Sequence, residues 1–161
     1  MYFVETSALV KAYVSERGSA TVSEAFRRLR GSLFISELVA IETLAKLTWL
    51  KRSETISRNG YRKLKREFEA DLAQLFQIAP IAEATLVAAR ELVDRYAQTA
   101  AGPIDLVHLA TLESLQALYP PEPVRLMCSD SALRNVARAR GVGVFDPEAD
   151  ELSSLDDDLA I

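Results

Sequence analysis

The chain opens on Tyr2-Phe3-Val4, an unbroken aromatic and β-branched run that stops at Glu5. Such a run predicts a short strand covered on both faces, as in the middle of a parallel sheet. Residues 8–16 then predict a helix, with Thr6 or Ser7 placed to accept a bond from a free first-turn amide. After the turn signal Arg17-Gly18-Ser19, residues 20–30 carry Val22, Ala25, Phe26 and Leu29 at helical spacing, and Gly31 closes the element. Leu33-Phe34-Ile35 predicts a second strand, and Ser36 a cap for an apolar helix over 37–51. Ser53 is placed to cap a long helix running to Phe76, with Asn59-Gly60 as a break or kink. Residues 77–80 form a brief strand, and 83–96 and 103–118 two helices. Pro103 suits a first turn, where its missing amide would be free in any case. Pro120-Pro121-Glu122-Pro123 is a loop; 124–128 a strand, 131–140 a helix and 142–145 a last strand.

Strands therefore alternate with helices throughout, with no interior shift in composition and no internal repeat. Parallel pairing through right-handed crossovers follows, giving a three-layer α/β/α domain around a short parallel sheet of four or five strands. The domain is expected over residues 1–147, with 148–161 as an acidic C-terminal tail. The 161 residues, 49% hydrophobic and 26% charged, suit one globular domain with a core. No apolar run approaches the ~20 residues of a membrane span, and the first residues lack the features of a signal peptide, so a cytoplasmic protein is expected. The single cysteine, Cys128, has no partner for an internal disulfide and reads as a small core residue on a strand.

The net charge of −4 conceals an uneven distribution. Asp146, Glu148, Asp150, Glu151, Asp156, Asp157 and Asp158 fall at the end without a Lys or Arg, which leaves the remainder net positive. Within that remainder Lys51, Arg52, Arg58, Arg62, Lys63, Lys65 and Arg66 face one acid, Glu54. Such a run is commonly a solvated helix face; it is also what a nucleic-acid or acidic-partner surface requires. The tail is expected to be mobile or docked on that basic helix, contributing no core element.

Four other acids sit where structure alone does not account for them. Glu5 follows a strand, at the edge where open α/β sheets bind ligands. At 100° per residue Glu42 lies beside Leu38, Ala45 and Trp49, an apolar stripe. Asp105 has Leu109 and Leu112 at i+4 and i+7, although an acid in a first helical turn is also favoured by the dipole. Asp130 follows a strand and precedes a helix, where capping alone explains an Asp. Two acids from strand ends and two from helices, without a competing His or Cys cluster, point to one site. Clustered carboxylates cannot all ionise unpaired, and their oxygen donors suit Mg²⁺ or Mn²⁺ before Zn²⁺. His108, at i+3 from Asp105, is either a packed histidine of the inner helix face or a ligand or base.

Glu5-Thr6-Ser7-Ala8-Leu9-Val10-Lys11, Ser36-Glu37-Leu38 leading to Glu42, Asp105-Leu106-Val107-His108-Leu109-Ala110, and Cys128-Ser129-Asp130 with Leu133 resemble the ordered signatures of the PIN domain. The resemblance is to bacterial VapC-type toxin ribonucleases and extends through Val144-Phe145-Asp146-Pro147. It departs at Glu5, where the family usually has Asp, and at Ala101-Gly102-Pro103. It implies a PIN-like fold, a homodimer, a small antitoxin partner that inserts a segment near the acids, and a metal-dependent endoribonuclease acting on transfer RNA or another structured RNA. Glu5, Glu42, Asp105 and Asp130 would be the catalytic metal ligands, with Thr6 or Ser7 hydrogen-bonding a ligand carboxylate. Lys51, Arg52, Arg62, Lys63, Lys65 and Arg66 would contact RNA. Cleavage would be metal-assisted hydrolysis leaving a 5′-phosphate and a 3′-hydroxyl. A non-catalytic PIN-like module that dimerises and binds a protein or RNA is the alternative, with Glu5 in its favour. A phosphorelay receiver would need a carboxylate pair after the first strand and an acid where Pro80 stands. A haloacid-dehalogenase-type phosphatase would need Asp-x-Asp where Glu5-Thr6-Ser7 stands.

Overall fold

The computed structural model describes residues 1–156, the side chain of Asp156 excepted; Asp157 and Asp158 of the expected tail lie outside the described residues. Five strands, β1 (Tyr2–Val4), β2 (Leu33–Ser36), β3 (Gln77–Ala79), β4 (Arg125–Met127) and β5 (Val144–Phe145), form one parallel sheet in the order β3-β2-β1-β4-β5. Helices α1 (Thr6–Leu9), α2 (Ser19–Arg28), α3 (Glu37–Arg52), α4 (Arg58–Gln74), α5 (Glu83–Arg95), α6 (Pro103–Leu118) and α7 (Ser131–Ala139) complete the α/β/α layers. No described helix is long and apolar enough to cross a membrane.

The order follows from burial. Tyr2, Phe3 and Val4 are all buried, so β1 takes the centre, with Phe3 paired to Phe34 on one side and Leu126 on the other. The chain leaves β1 toward β2 and β3, and later returns on its opposite side to build β4 and β5. The carboxyl end of β1 is therefore the place where the winding reverses, which is where sheets of this kind open a crevice.

Several boundaries differ from those expected. α1 ends at Leu9 and tightens into a 3-10 turn over Val10–Ala12, short of residue 16. Its cap is Glu5 rather than Thr6 or Ser7, because a carboxylate one position earlier reaches the Ser7 amide. Ser53 ends α3; the cap of α4 is Ser57, which accepts from the Gly60 amide, so Asn59-Gly60 forms a first turn and no break. The end of the chain differs most. A short helix, α8 (Ser153–Asp156), carries Leu155 into the core, where it is fully buried. Leu152, three residues earlier, packs against the same core, an apolar pair that the surrounding acids mask. The docking expected on the basic helix instead falls near the first turn of the fold: Lys11 Nζ lies 2.6 Å from Glu148 Oε1, and Arg17 donates to the Glu148 carbonyl at 3.0 Å. Asp146 is buried against Arg134. Gly18 allows the approach, since its φ is +86° and a Cβ there would stand 2.9 Å from the Pro147 carbonyl oxygen.

Candidate functional site

Glu5 is the first residue past β1, and its amide donates to Met127 O at 3.0 Å, continuing the ladder to β4. As the cap of α1 its Oε2 accepts from the Ser7 amide at 2.9 Å and the Ser7 hydroxyl at 2.5 Å. The Cys128 thiol donates to the same oxygen at 3.3 Å. Ser7 Oγ in turn accepts from the amides of Ser129 and Asp130, at 2.9 and 3.1 Å, so one hydroxyl joins the ends of the two strands. Glu5 is thus only 5% exposed and does not point to solvent. Cys128, expected as a core residue, is buried just past β4 and serves the site as well.

The other acids are fixed from separate elements. Asp130 caps α7, its Oδ1 accepting from the Leu133 amide at 2.8 Å. Asp105, in the first turn of α6, accepts the Gly102 amide on Oδ2 at 2.7 Å, a one-sided cap, since Gly102 has no side chain to return the bond. Glu42 lies in mid-α3, and its Oε2 accepts from Thr6 Oγ1 and His108 Nε2, each at 2.7 Å. His108 is buried, and its Nδ1 has no partner among the described residues. A carboxylate can only accept, so Nε2 carries the N–H of this contact and donates it to Glu42. Of the apolar stripe expected around Glu42, Ala45 and Trp49 face the cleft instead of the core, and Leu38 is half-buried outside it. The residues α3 buries are Val39, Ala40, Thr43, Leu47 and Leu50, whereas Ala45 and Trp49 are exposed.

These surroundings push the carboxyls apart. Burial raises the Glu5 carboxyl above its ordinary range, against the hydrogen bonds of Ser7 and Cys128 and the charge of His108. Burial likewise raises Asp105, opposed by the Gly102 amide and reinforced by the negative charges of Asp130 and Glu42. Partial burial alone would raise Glu42, yet the bonds from His108 and Thr6 outweigh it and hold that carboxyl below the usual value. Burial and the neighbouring Glu5 push the Cys128 thiol well up, which keeps it a donor.

All four acids line one cleft of about 700 Å³, together with Thr6, Ser7, Lys11, Lys46, Trp49 and Glu148. In each, one oxygen is committed to the scaffold and the other has no protein partner among the described residues: Oε1 of Glu5 and Glu42, Oδ1 of Asp105, Oδ2 of Asp130. Such a donor set is all oxygen and fixed from behind, and it fits a hard divalent cation. As the side chains stand, no group of three or more His, Cys, Asp or Glu among the described residues is arranged to hold an ion.

The basic residues do not share the cleft. Lys51 and Arg52 end α3, and Arg62, Lys63, Lys65 and Arg66 lie along α4, where Lys63 and Lys65 pair with Glu67 and Glu69. Pattern reading passed over Lys46 and singled out Trp49 only as an apolar neighbour. Both stand at i+4 and i+7 from Glu42, a spacing that places them on the same face as the acid. Lys11 was quoted in a motif without a role; its burial beside Glu148 depends on a contact 137 residues away and left no local signal.

The PIN domain family model matches residues 2–139. Among solved structures the fold is similar to FitAcB from Neisseria gonorrhoeae, with 16% identity and a TM-score of 0.68 over 92% of this chain and 99% of that one. It is similar to VapBC2 from Rickettsia felis, bound to a DNA fragment from the promoter, with 14% identity and a TM-score of 0.66 over 89% and 96% of the two chains. It is similar also to VapC20 of Mycobacterium tuberculosis, a toxin that cleaves the sarcin–ricin loop, with 16% identity and a TM-score of 0.61 over 84% and 95%. No curated protein matches the sequence.

Proposed function

The chain belongs to the PIN domain family, and from that premise we propose that it is a divalent-metal-dependent endoribonuclease, the toxin of a toxin–antitoxin pair. The observation that carries the reading is the set of four carboxylates from four elements on one cleft, each keeping an oxygen uncommitted. Glu5, Glu42, Asp105 and Asp130 would hold the cation, which when bound supplies charge neutralisation at the phosphate and an activated water at neutral pH. The chain's own part is orientation. Thr6 and His108 fix Glu42, Ser7 fixes Glu5, and the amides of Gly102 and Leu133 fix Asp105 and Asp130. A cation also relieves the repulsion that raises Asp105.

The substrate is RNA, cut to leave a 5′-phosphate and a 3′-hydroxyl, with transfer RNA as one target class and another structured RNA, as the sarcin–ricin loop is for VapC20, as the other. Lys51, Arg52, Arg62, Lys63, Lys65 and Arg66 contact phosphates outside the cleft. A small antitoxin is the protein partner, the chain is a homodimer, and it acts in the cytoplasm with Mg²⁺ or Mn²⁺. Incubating purified protein with labelled RNA in Mg²⁺, Mn²⁺ or chelator tests the reading. Cleavage requires metal and falls more than about 100-fold in Asp105→Asn, since a ligand outranks the supporting residues whose loss costs 10- to 100-fold. Equal cleavage by the two proteins would sink the assignment. The non-catalytic module remains the second reading because Glu5 Oε2 is already taken by three donors. Calorimetric titration of Mg²⁺ and Mn²⁺ into wild type and Asp105→Asn separates the two, the module showing no Asp105-dependent binding.

A further inference from the structure

Trp49 is the only tryptophan in the chain, and it is 56% exposed although it is the largest apolar side chain present. It is not a stray surface residue. It lines the same cleft as the four acids, and Lys46 holds its ammonium 4.9 Å from the centre of the indole. Glu42, Lys46 and Trp49 run along one face of α3, so the indole stands about 10 Å along the helix axis from the acid. The cleft therefore has two walls of opposite chemistry, carboxylates at the strand ends and an aromatic plate with a cation farther along α3.

We propose that Trp49 and Lys46 form a nucleotide subsite, in which the base of a single-stranded ribonucleotide flanking the scissile phosphate stacks on the indole while Lys46 pairs with its phosphate. The proposal rests on the ribonuclease reading of the cleft and adds to it the feature that selects an unpaired residue. Exposed aromatic rings beside cations are the means by which single strands are held, since every base offers a π-face and every nucleotide a charge. A bases-paired segment cannot lay a base flat on the ring, so the subsite favours loops and bulges over duplex. An apolar protein segment would leave Lys46 without a counter-charge, and a nucleotide satisfies both groups.

Because the chain has one indole, its fluorescence reports on this position alone. Wild-type protein in chelator is titrated with a single-stranded RNA of about ten nucleotides, with a backbone of equal length lacking bases, and with an apolar peptide. RNA quenches Trp49 emission to saturation; the base-free backbone does not. In anisotropy measurements with labelled RNA, Trp49→Ala binds about tenfold more weakly and Trp49→Phe within about threefold of wild type. Lys46→Gln flattens the salt dependence. The exposure of Trp49 makes unfolding of these variants no explanation, and a matching melting curve confirms that. Unchanged emission on RNA binding, equal affinity of Trp49→Ala, or quenching by the peptide and not by RNA would each overturn the subsite. Cleavage in Mg²⁺ or Mn²⁺ is measured in parallel, so that wild-type cleavage with an unchanged KM in Trp49→Ala removes the subsite and leaves the nuclease. Absence of both RNA binding and cleavage removes both.

Discussion

Glu5 and Glu42 are the same residue type on the same cleft, and their surroundings treat them in opposite ways. Glu5 is nearly sealed behind the end of β1, where burial outweighs three donors and favours the protonated form. Glu42 keeps a side-chain exposure of 33% and has two donors on one oxygen, His108 and Thr6, which favour the charged form. Burial by itself does not make a carboxylate a ligand or an acid; the balance of lost hydration against donors does. A cation in this cleft would therefore meet one glutamate whose charged form is favoured by its surroundings and another whose charged form is disfavoured.

Removing the charge from each glutamate breaks the comparison most sharply. Glu42→Gln should lower RNA cleavage by more than about 100-fold, while Glu5→Gln should lower it by about tenfold, because the second position carries less charge to lose. The same ranking should appear in calorimetric metal affinity. A larger loss at Glu5 in both measurements would mean that the buried acid is the principal ligand.

Shortening Glu5 sharpens it. Glu has one methylene more than Asp, so its free oxygen is less firmly placed, and Mg²⁺ requires near-octahedral geometry at about 2.0–2.1 Å. Glu5→Asp should raise the Mg²⁺-supported rate several-fold relative to the Mn²⁺-supported one, an order-of-magnitude expectation from that stricter geometry. Rates with both metals that do not change among wild type, Glu5→Asp and Glu5→Gln would exclude Glu5 from the chemistry.

The smallest effect is on stability without metal. Glu5 holds its proton to a higher pH folded than unfolded, so between those two values the folded state binds more protons and stability falls as pH rises. The penalty is complete above the folded value and absent below the unfolded one. Glu5→Gln, which cannot ionise, should melt roughly 2–4 °C higher near neutral pH, the shift that about 1 kcal/mol produces in a domain of this size. The gain should fade as pH drops below the ordinary glutamate range, and saturating Mg²⁺ should narrow it by stabilising the wild type. A gain that grows toward acid pH would contradict the sign of the shift.

The sheet and its helices were legible because the signals are local. Tyr2-Phe3-Val4 and Leu33-Phe34-Ile35 are strands by composition, and the turns after Arg28 and Leu118 are marked by Gly31 and the proline loop. The four acids were legible as anomalies of position. Thr6 and Ser7 were expected against a ligand carboxylate and bond Glu42 and Glu5, but which partner each takes was not legible, nor was His108 to Glu42, since Thr6 and His108 lie 36 and 66 residues from Glu42. The cap of α1 was misplaced by a single residue because Thr6, Ser7 and Glu5 are all able acceptors there, and only the bond to the Ser7 amide chooses among them. Leu155 has one companion at helical spacing, Leu152 at i−3, which packs on the same core, but two leucines among acids are too short a pattern to mark an element.

The strand order bears on how this protein is made. β1 is central, yet one of its two neighbours, β4, begins at Arg125, and the acids enter the chain at Glu5, Glu42, Asp105 and Asp130. A nascent chain emerging from the ribosome therefore carries its central strand with one side open until late in synthesis, a topology in which distant contacts close last. The cleft cannot exist before Asp130 has been added, and Lys11 waits longer still, for Glu148. An arrested or prematurely released chain ending before Asp130 lacks the fourth carboxylate, and one ending before Arg125 lacks as well the strand that anchors Glu5.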